Sequence, residues 1–246
     1  MRVLRPLEQW LNRKASIPAR FYQKAGQDII DAGWGAGILL QECNPLHEAD
    51  SIAWMGLNRA RNETDEYLEK AAILIGGLGG GWLDRDEREM IERELGQPPL
   101  PCLPIYMVSI KKDTEEQLVY IGLTEGEKRF SNGHKVALSL HAPEFAGYTK
   151  HIYQCSIVLV QEKDEDYLSV EWLDPVLVAS ELIDSVESQL IFEFKPRFNH
   201  SKVNNYRATM PLCLHLQNSH SSTFMNDKHV YPPGNVNIKN PRFRIR

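Results

Sequence analysis

From Val176 to Phe194 apolar side chains return every three or four residues. Val176, Ala179, Ile183, Leu190, Ile191 and Phe194 fall on one stripe, which is the period of a buried helical face. Pro196 ends the run, because proline has no amide hydrogen and its ring clashes with the preceding turn. Glu187 lies on that same face, four residues after Ile183 and four before Ile191, and the exit reads Lys-Pro-Arg-Phe-Asn. A carboxylate among apolar neighbours raises the question of its partner.

The segments before this helix have two textures. Up to residue 96 the chain reads mostly as helices: FYQKAGQDIIDAGW, SIAWMGLNRARN and TDEYLEKAAILIG carry a helical rhythm. Asp84 and Glu87 form a capping box that opens DRDEREMIEREL, and Gly96 ends it. QPPLPCLP, residues 97–104, holds four of the 14 prolines and is the best candidate for a domain boundary. Beyond it, LPIYMVSI and LVYIGL read as two strands of an antiparallel hairpin around a charged turn, and HIYQCSIVLV as a third strand. TEGEKRFSNGHKVALSL between them reads as helical and EKDEDY as a solvated acidic loop. Residues 200–246 are rich in Asn, His, Ser and Pro and have little periodicity.

Composition bounds the class. A chain of 246 residues with 42% hydrophobic content supports one large domain or two small ones. No apolar run approaches the roughly 18 residues of a membrane span. MRVLRPLEQWLNRK has no apolar signal-peptide core, and Cys43, Cys102, Cys155 and Cys213 form no CxxC pair. The expectation is a cytoplasmic protein with free thiols, no zinc site and no disulfide framework. The net charge of −5 is uneven: residues 1–194 hold 19 basic and 32 acidic side chains, whereas 195–246 hold 9 basic and a single acid, Asp227. A basic end on an acidic body suits either a polyanionic partner or docking onto the body itself.

IGGLGGGW, residues 75–82, is not a phosphate cradle. Leu78 and Trp82 fall on required glycines of G-x-G-x-x-G, and the Lys-Ser/Thr of a phosphate loop is missing. It reads as a joint between helices. The polar groups near the sheet are more telling: Tyr106 and Tyr120 on the hairpin, Arg129 and His134 after it, Glu187 on the long helix and Asn199 beyond. A water-positioning group, a cation for a phosphate and a carboxylate for a metal are what phosphodiester hydrolysis requires.

Pro104-Ile105-Tyr106 followed by Tyr120-Ile121-Gly122 resembles the paired signature of the GIY-YIG endonuclease superfamily. An Arg, a His, a Glu on a later helix and a closing Asn follow in the family's order. The spacing from Glu187 through KPRFN to Asn199 is similar to that in the incision subunit of bacterial nucleotide-excision repair. The resemblance covers roughly residues 103–200.

It implies an α+β fold. A small antiparallel or mixed three-stranded sheet flanked by helices would form a nuclease core at 105–200. A helical N-terminal region (1–96), a proline-rich linker (97–104) and a basic C-terminal extension (201–246) would complete the chain.

The resemblance also implies roles. Glu187 holds one divalent metal per active site, Mg²⁺ or Mn²⁺. Tyr106 or Tyr120 positions or deprotonates the attacking water, Arg129 stabilises the phosphoryl charge, and His134 assists in proton transfer or phosphate contact. Lys195 and Arg197 face backbone phosphate, and Asn199 fixes the chain where it leaves the helix. A phenol with a pKa near 10 is a weak base unless a nearby cation lowers it.

Two departures stand out. Pro104 replaces the family's first Gly, which marks a strand start or edge. His134 comes five residues after Arg129, where about four is expected, a rotation of roughly 100° on a regular helix; His141 is a weaker substitute. The overall make-up is closer to the restriction-enzyme or phage-defence branch, whose members cut double-stranded DNA as homodimers. A non-cleaving nucleic-acid-binding module of the same fold, or an RNA-directed nuclease, is the alternative.

Overall fold

In the computed structural model, residues 5–12, 16–17, 20–78, 82–124, 130, 134–161, 167–218, 224–225 and 227–234 are described. Arg129, residues 79–81 of the glycine-rich joint, most of the acidic loop (162–166) and the last basic residues, Lys239, Arg242, Arg244 and Arg246, lie outside them.

The hairpin forms as the alternation requires. Strand β3 (Ile105–Lys112) pairs antiparallel with β4 (Glu115–Leu123). Asp113 turns the corner with φ 54°, a left-handed conformation that a short polar side chain tolerates. Tyr106 stands opposite Gly122 and Val108 opposite Tyr120; a bulge then places Ser109 opposite Leu118. On its other edge β3 pairs with β5 (Thr149–Val160), where Gln154 stands opposite Tyr106.

The sheet is larger than the three strands expected. The class is α+β, but among the described residues this is a mixed, seven-stranded sheet in the order β4-β3-β5, then β2 (Gly35–Pro45), β8 (Leu214–Asn218) and β9 (Lys228–Val230), with β6 (Tyr167–Ser169) beside β5; β1 (Phe21–Tyr22) and β7 (Leu173–Asp174) pair with each other separately. β2 (Gly35–Pro45) comes from the region that reads as helical, and β8 (Leu214–Asn218) and β9 (Lys228–Val230) from the basic tail. β2 runs antiparallel to β5 and parallel to β8. The reason these strands escape sequence reading is physical. Gly35–Gln41 is buried at every position, so it shows no alternation, and a strand covered on both faces cannot be told from a short helix by period alone. β8 is only five residues long and takes its partner from a segment more than 160 residues away.

The helices follow their local signals. The two helices expected between residues 51 and 76 are one, α3 (Leu57–Ile75), ended by Gly76 in the left-handed conformation. α4 (Arg85–Leu95) starts on the capping box: Glu87 N donates to Asp84 Oδ1 at 2.8 Å and Asp84 N donates to Glu87 Oε2 at 2.8 Å. These two pack with Leu7, Trp10 and Trp172 into a satellite core. The long helix, α6, spans Val176–Phe194. Its Val178, Leu182, Val186 and Leu190 cover the sheet face that carries Ile105, Met107 and Ile121. The opposite face carries Tyr106, Val108 and Ile152 under Trp54, Phe130, Val136 and Phe145.

The proline-rich stretch is buried from Pro101 to Pro104, and Leu103 N donates to Met55 O at 2.7 Å. Its Cys102 N donates to the carboxylate of Glu171 at 3.3 Å. Glu171 is buried, and that burial pushes its pKa up to about 7; its own backbone amide and that of Cys102 oppose the shift, as do Arg20 and Arg61. Both arginines donate to the Glu171 carbonyl oxygen, and Arg61 also pairs with Asp174 at 2.9 Å. No helix among the described residues is long and apolar enough to cross a membrane.

Candidate functional site

Tyr106 and Tyr120 share one face of the hairpin, because residues two apart on a strand project alike and the pairing puts Val108 opposite Tyr120. Their ring centroids are 5.9 Å apart. The Tyr106 ring leans across Gly122. A Cβ at that position would stand 2.6 Å from both Cζ and the hydroxyl oxygen of Tyr106, and 2.8 Å from Cε1 of Tyr120. Gly122 is therefore the gap that lets the two phenols approach, which gives the Tyr-Ile-Gly spacing a steric cause.

Tyr106 is buried, and its hydroxyl lies 2.9 Å from Nε2 of His134. Trp54 and Phe130 hold it edge-on, with centroids 5.4 Å away in each case. Phe130 also stacks on the His134 ring at 4.5 Å, and Tyr120 meets that ring edge-on at 5.5 Å. The helical phase of His134 does not decide its place. Its backbone is extended, and it is the N-cap of a short helix, α5 (Lys135–Ser139). A residue outside the helix is free of the helix's angular register, so a five-residue separation from Arg129 carries no rotation penalty. His141 is exposed in the turn after α5.

Between the start of α5 and the chain leaving α6 lies a cleft of about 510 Å³, lined among others by Tyr120, His134, Lys135, Asn199, His200 and Ser201. Asn199 pins this wall to the sheet edge. Its Oδ1 accepts from Ile121 N at 2.9 Å and its Nδ2 donates to Ile121 O at 2.8 Å, while Phe198 N donates to Val119 O at 2.9 Å. The side-chain amide thus acts as a one-residue strand partner for β4. Lys135, His200 and Ser201 were not among the candidates from sequence; Lys135 directly follows His134, and His200 and Ser201 are the two residues after Asn199, and this nearness is the only signal that points to them.

The remaining candidates are engaged elsewhere. Lys195 is exposed at the C-cap of α6 with φ 46°, its ammonium 5.8 Å from the Phe192 ring centroid. Arg197 pairs with Glu144 at 2.8 Å and lies over the rings of Phe145 and Phe198. Glu187 does not line the cleft. Its Oε2 accepts from Lys202 Nζ at 2.7 Å, and the same ammonium reaches Asp184 Oδ1 at 2.7 Å. The Glu187 and Lys202 side chains are 12% and 17% exposed, whereas Asp184 is 56% exposed. Burial lowers the Lys202 pKa, but its hydrogen bonds to Asp184 and Glu187 outweigh this and hold it above the ordinary lysine value.

Two carboxylates one turn apart that converge on a single cation are a fitting seat for Mg²⁺ or Mn²⁺. These ions take hard oxygen donors and are often held by one or two carboxylates, with water and substrate phosphate completing the shell. The described residues contain no cluster of three or more His, Cys, Asp or Glu side chains, so any such site here is of this sparse kind. Compared with protein-family models, curated proteins and solved structures, the chain matches none.

Proposed function

We propose that the chain is a divalent-metal-dependent endonuclease that hydrolyses DNA phosphodiester bonds, a cytoplasmic enzyme of the type II restriction or phage-defence kind. The observation that carries this reading is the meeting of Tyr120, His134 and Asn199 at one polar cleft, with Tyr106 bonded behind it to His134. These are four residues of the GIY-YIG resemblance, scattered over nearly a hundred positions. Tyr120 lines the cleft and is the phenol that meets the attacking water. Tyr106 is buried and acts through His134, holding the imidazole and exchanging a proton with it at Nε2. Lys135 offers a positive charge to a phosphate at the same wall, and Arg129, by the resemblance, offsets charge on the phosphoryl oxygens.

Glu187, with Asp184 one turn away, would hold the metal. By the resemblance, the ion would supply charge compensation to the substrate phosphate, although Glu187 itself does not line the cleft. One such site cuts one strand, so cleavage of a duplex calls for a homodimer.

A second reading, a nucleic-acid-binding module that does not cut, has its own support. Glu187 and Arg197 are both neutralised internally, by Lys202 and Glu144. Incubating the protein with supercoiled plasmid and with structured RNA, with and without Mg²⁺, separates the readings. The expected result is metal-dependent plasmid cutting that Glu187→Gln abolishes while DNA binding persists. Binding without cutting in every condition favours the module, and cutting of RNA alone makes it an RNA-directed enzyme.

A further inference from the structure

Lys202 is an unusual residue to find beside Glu187. It has φ 66°, in the left-handed region that a lysine rarely adopts, so the chain is held there against its local preference. The side chain is largely buried, and its ammonium sits between the two carboxylates of Asp184 and Glu187 at 2.7 Å from each. An exposed ion pair contributes little to stability, but the Lys202–Glu187 pair is mostly withdrawn from water, so its opposite charges are only weakly screened. An ammonium and a divalent cation cannot both sit against the same Glu187 oxygen. Lys202 also directly follows Ser201, which lines the cleft.

We infer that Lys202 is a built-in competitor cation: it holds the Asp184–Glu187 seat in the metal-free protein and must leave for a divalent ion to bind there. The inference rests on the reading of Glu187 as the metal-binding carboxylate. It assigns Lys202 a regulatory part, because the lysine raises the metal concentration at which the site fills. Without Lys202 the two carboxylates would repel each other across one helical turn and bind a cation more tightly. A lysine that only braces the fold would have no such effect on metal affinity.

The test is Mn²⁺ binding to the full chain without DNA, read by the electron paramagnetic resonance of free Mn²⁺, for wild type, Lys202→Met and Glu187→Gln. Methionine keeps an unbranched stem and drops the charge. Mn²⁺ is expected to bind Lys202→Met at least about tenfold more tightly than wild type, and Glu187→Gln much more weakly. Equal affinity in wild type and Lys202→Met, with affinity lost in Glu187→Gln, overturns the role of the lysine and leaves the metal assignment standing. Unchanged affinity in Glu187→Gln overturns both. A measurement on the unaltered protein guards against misfolding of the variant. Acetic anhydride labelling of Lys202, followed by mass spectrometry, should rise severalfold when Mn²⁺ is added; labelling that is indifferent to Mn²⁺ overturns the inference.

Discussion

The Tyr106 hydroxyl meets Nε2 of His134 at 2.9 Å, across 28 residues of sequence, beneath a lid of Trp54 and Phe130. The contact joins a buried phenol to an imidazole that lines the cleft, so the two side chains should act as one unit. On the nuclease reading, Tyr106→Phe and His134→Ala each lower the cleavage rate by a factor on the order of 10² to 10⁴, the range of a lost acid–base group. The double variant should be little worse than either single one, since residues in one hydrogen-bonded unit are non-additive. Single-turnover rates for all three variants check this, and multiplicative losses would show that the residues work independently.

Gly122 should tolerate no side chain. Gly122→Ala places a methyl group 2.6 Å from the Tyr106 ring and must push it aside, at a cost of about 1–3 kcal/mol as in other overpacked cores. Urea denaturation beside Gly147→Ala, where no atom lies within 4 Å of the new methyl, supplies the control. Equal midpoints for the two variants would mean that the close approach at Gly122 is not required.

Glu171 makes stability depend on pH with a definite sign. Burial raises its pKa in the folded chain from 4.5 to about 7, so the folded state holds a proton that the unfolded state releases between these values. This contribution is most favourable below pH 4.5 and is lost as pH rises through about 7. The shift corresponds to about 3 kcal/mol of destabilisation above that range. Glu171→Gln should raise the melting temperature at pH 8 and flatten the profile between pH 5 and 7, as measured by calorimetry across buffers. A variant less stable than wild type at pH 8 would contradict the account.

The basic end supplies a test of the DNA partner. Residues 236–246 carry Lys239, Arg242, Arg244 and Arg246 on a chain whose first 194 residues are strongly acidic. If these side chains meet phosphates, each contact releases condensed counterion. Deleting the segment should then make the slope of log affinity against log salt shallower by roughly two to four. An unchanged slope with a lower melting temperature would mean that the segment packs on the acidic body instead.

What the sequence determined by itself is whatever short-range physics decides. The capping box of Asp84 and Glu87, the β3–β4 hairpin around its charged turn, and the α6 helix stopped before Pro196 all follow from local sequence signals. The resemblance named Tyr106, Tyr120, His134 and Asn199 together with Arg129, Glu187, Lys195 and Arg197, and nothing in the sequence separates the four that meet at the cleft from the rest. The tertiary structure alone decided the rest, because its causes are distant in sequence. β2 hides among helical-looking segments since burial on both faces erases its alternation, and β8 pairs with β2, far away in sequence, as well as with β9. Helical phase predicts that His134 turns away, yet its extended backbone before α5 sends the ring to Tyr106. The partner of Glu187 is a lysine fifteen residues on, carried back by a left-handed turn of the backbone that no local preference of lysine foretells.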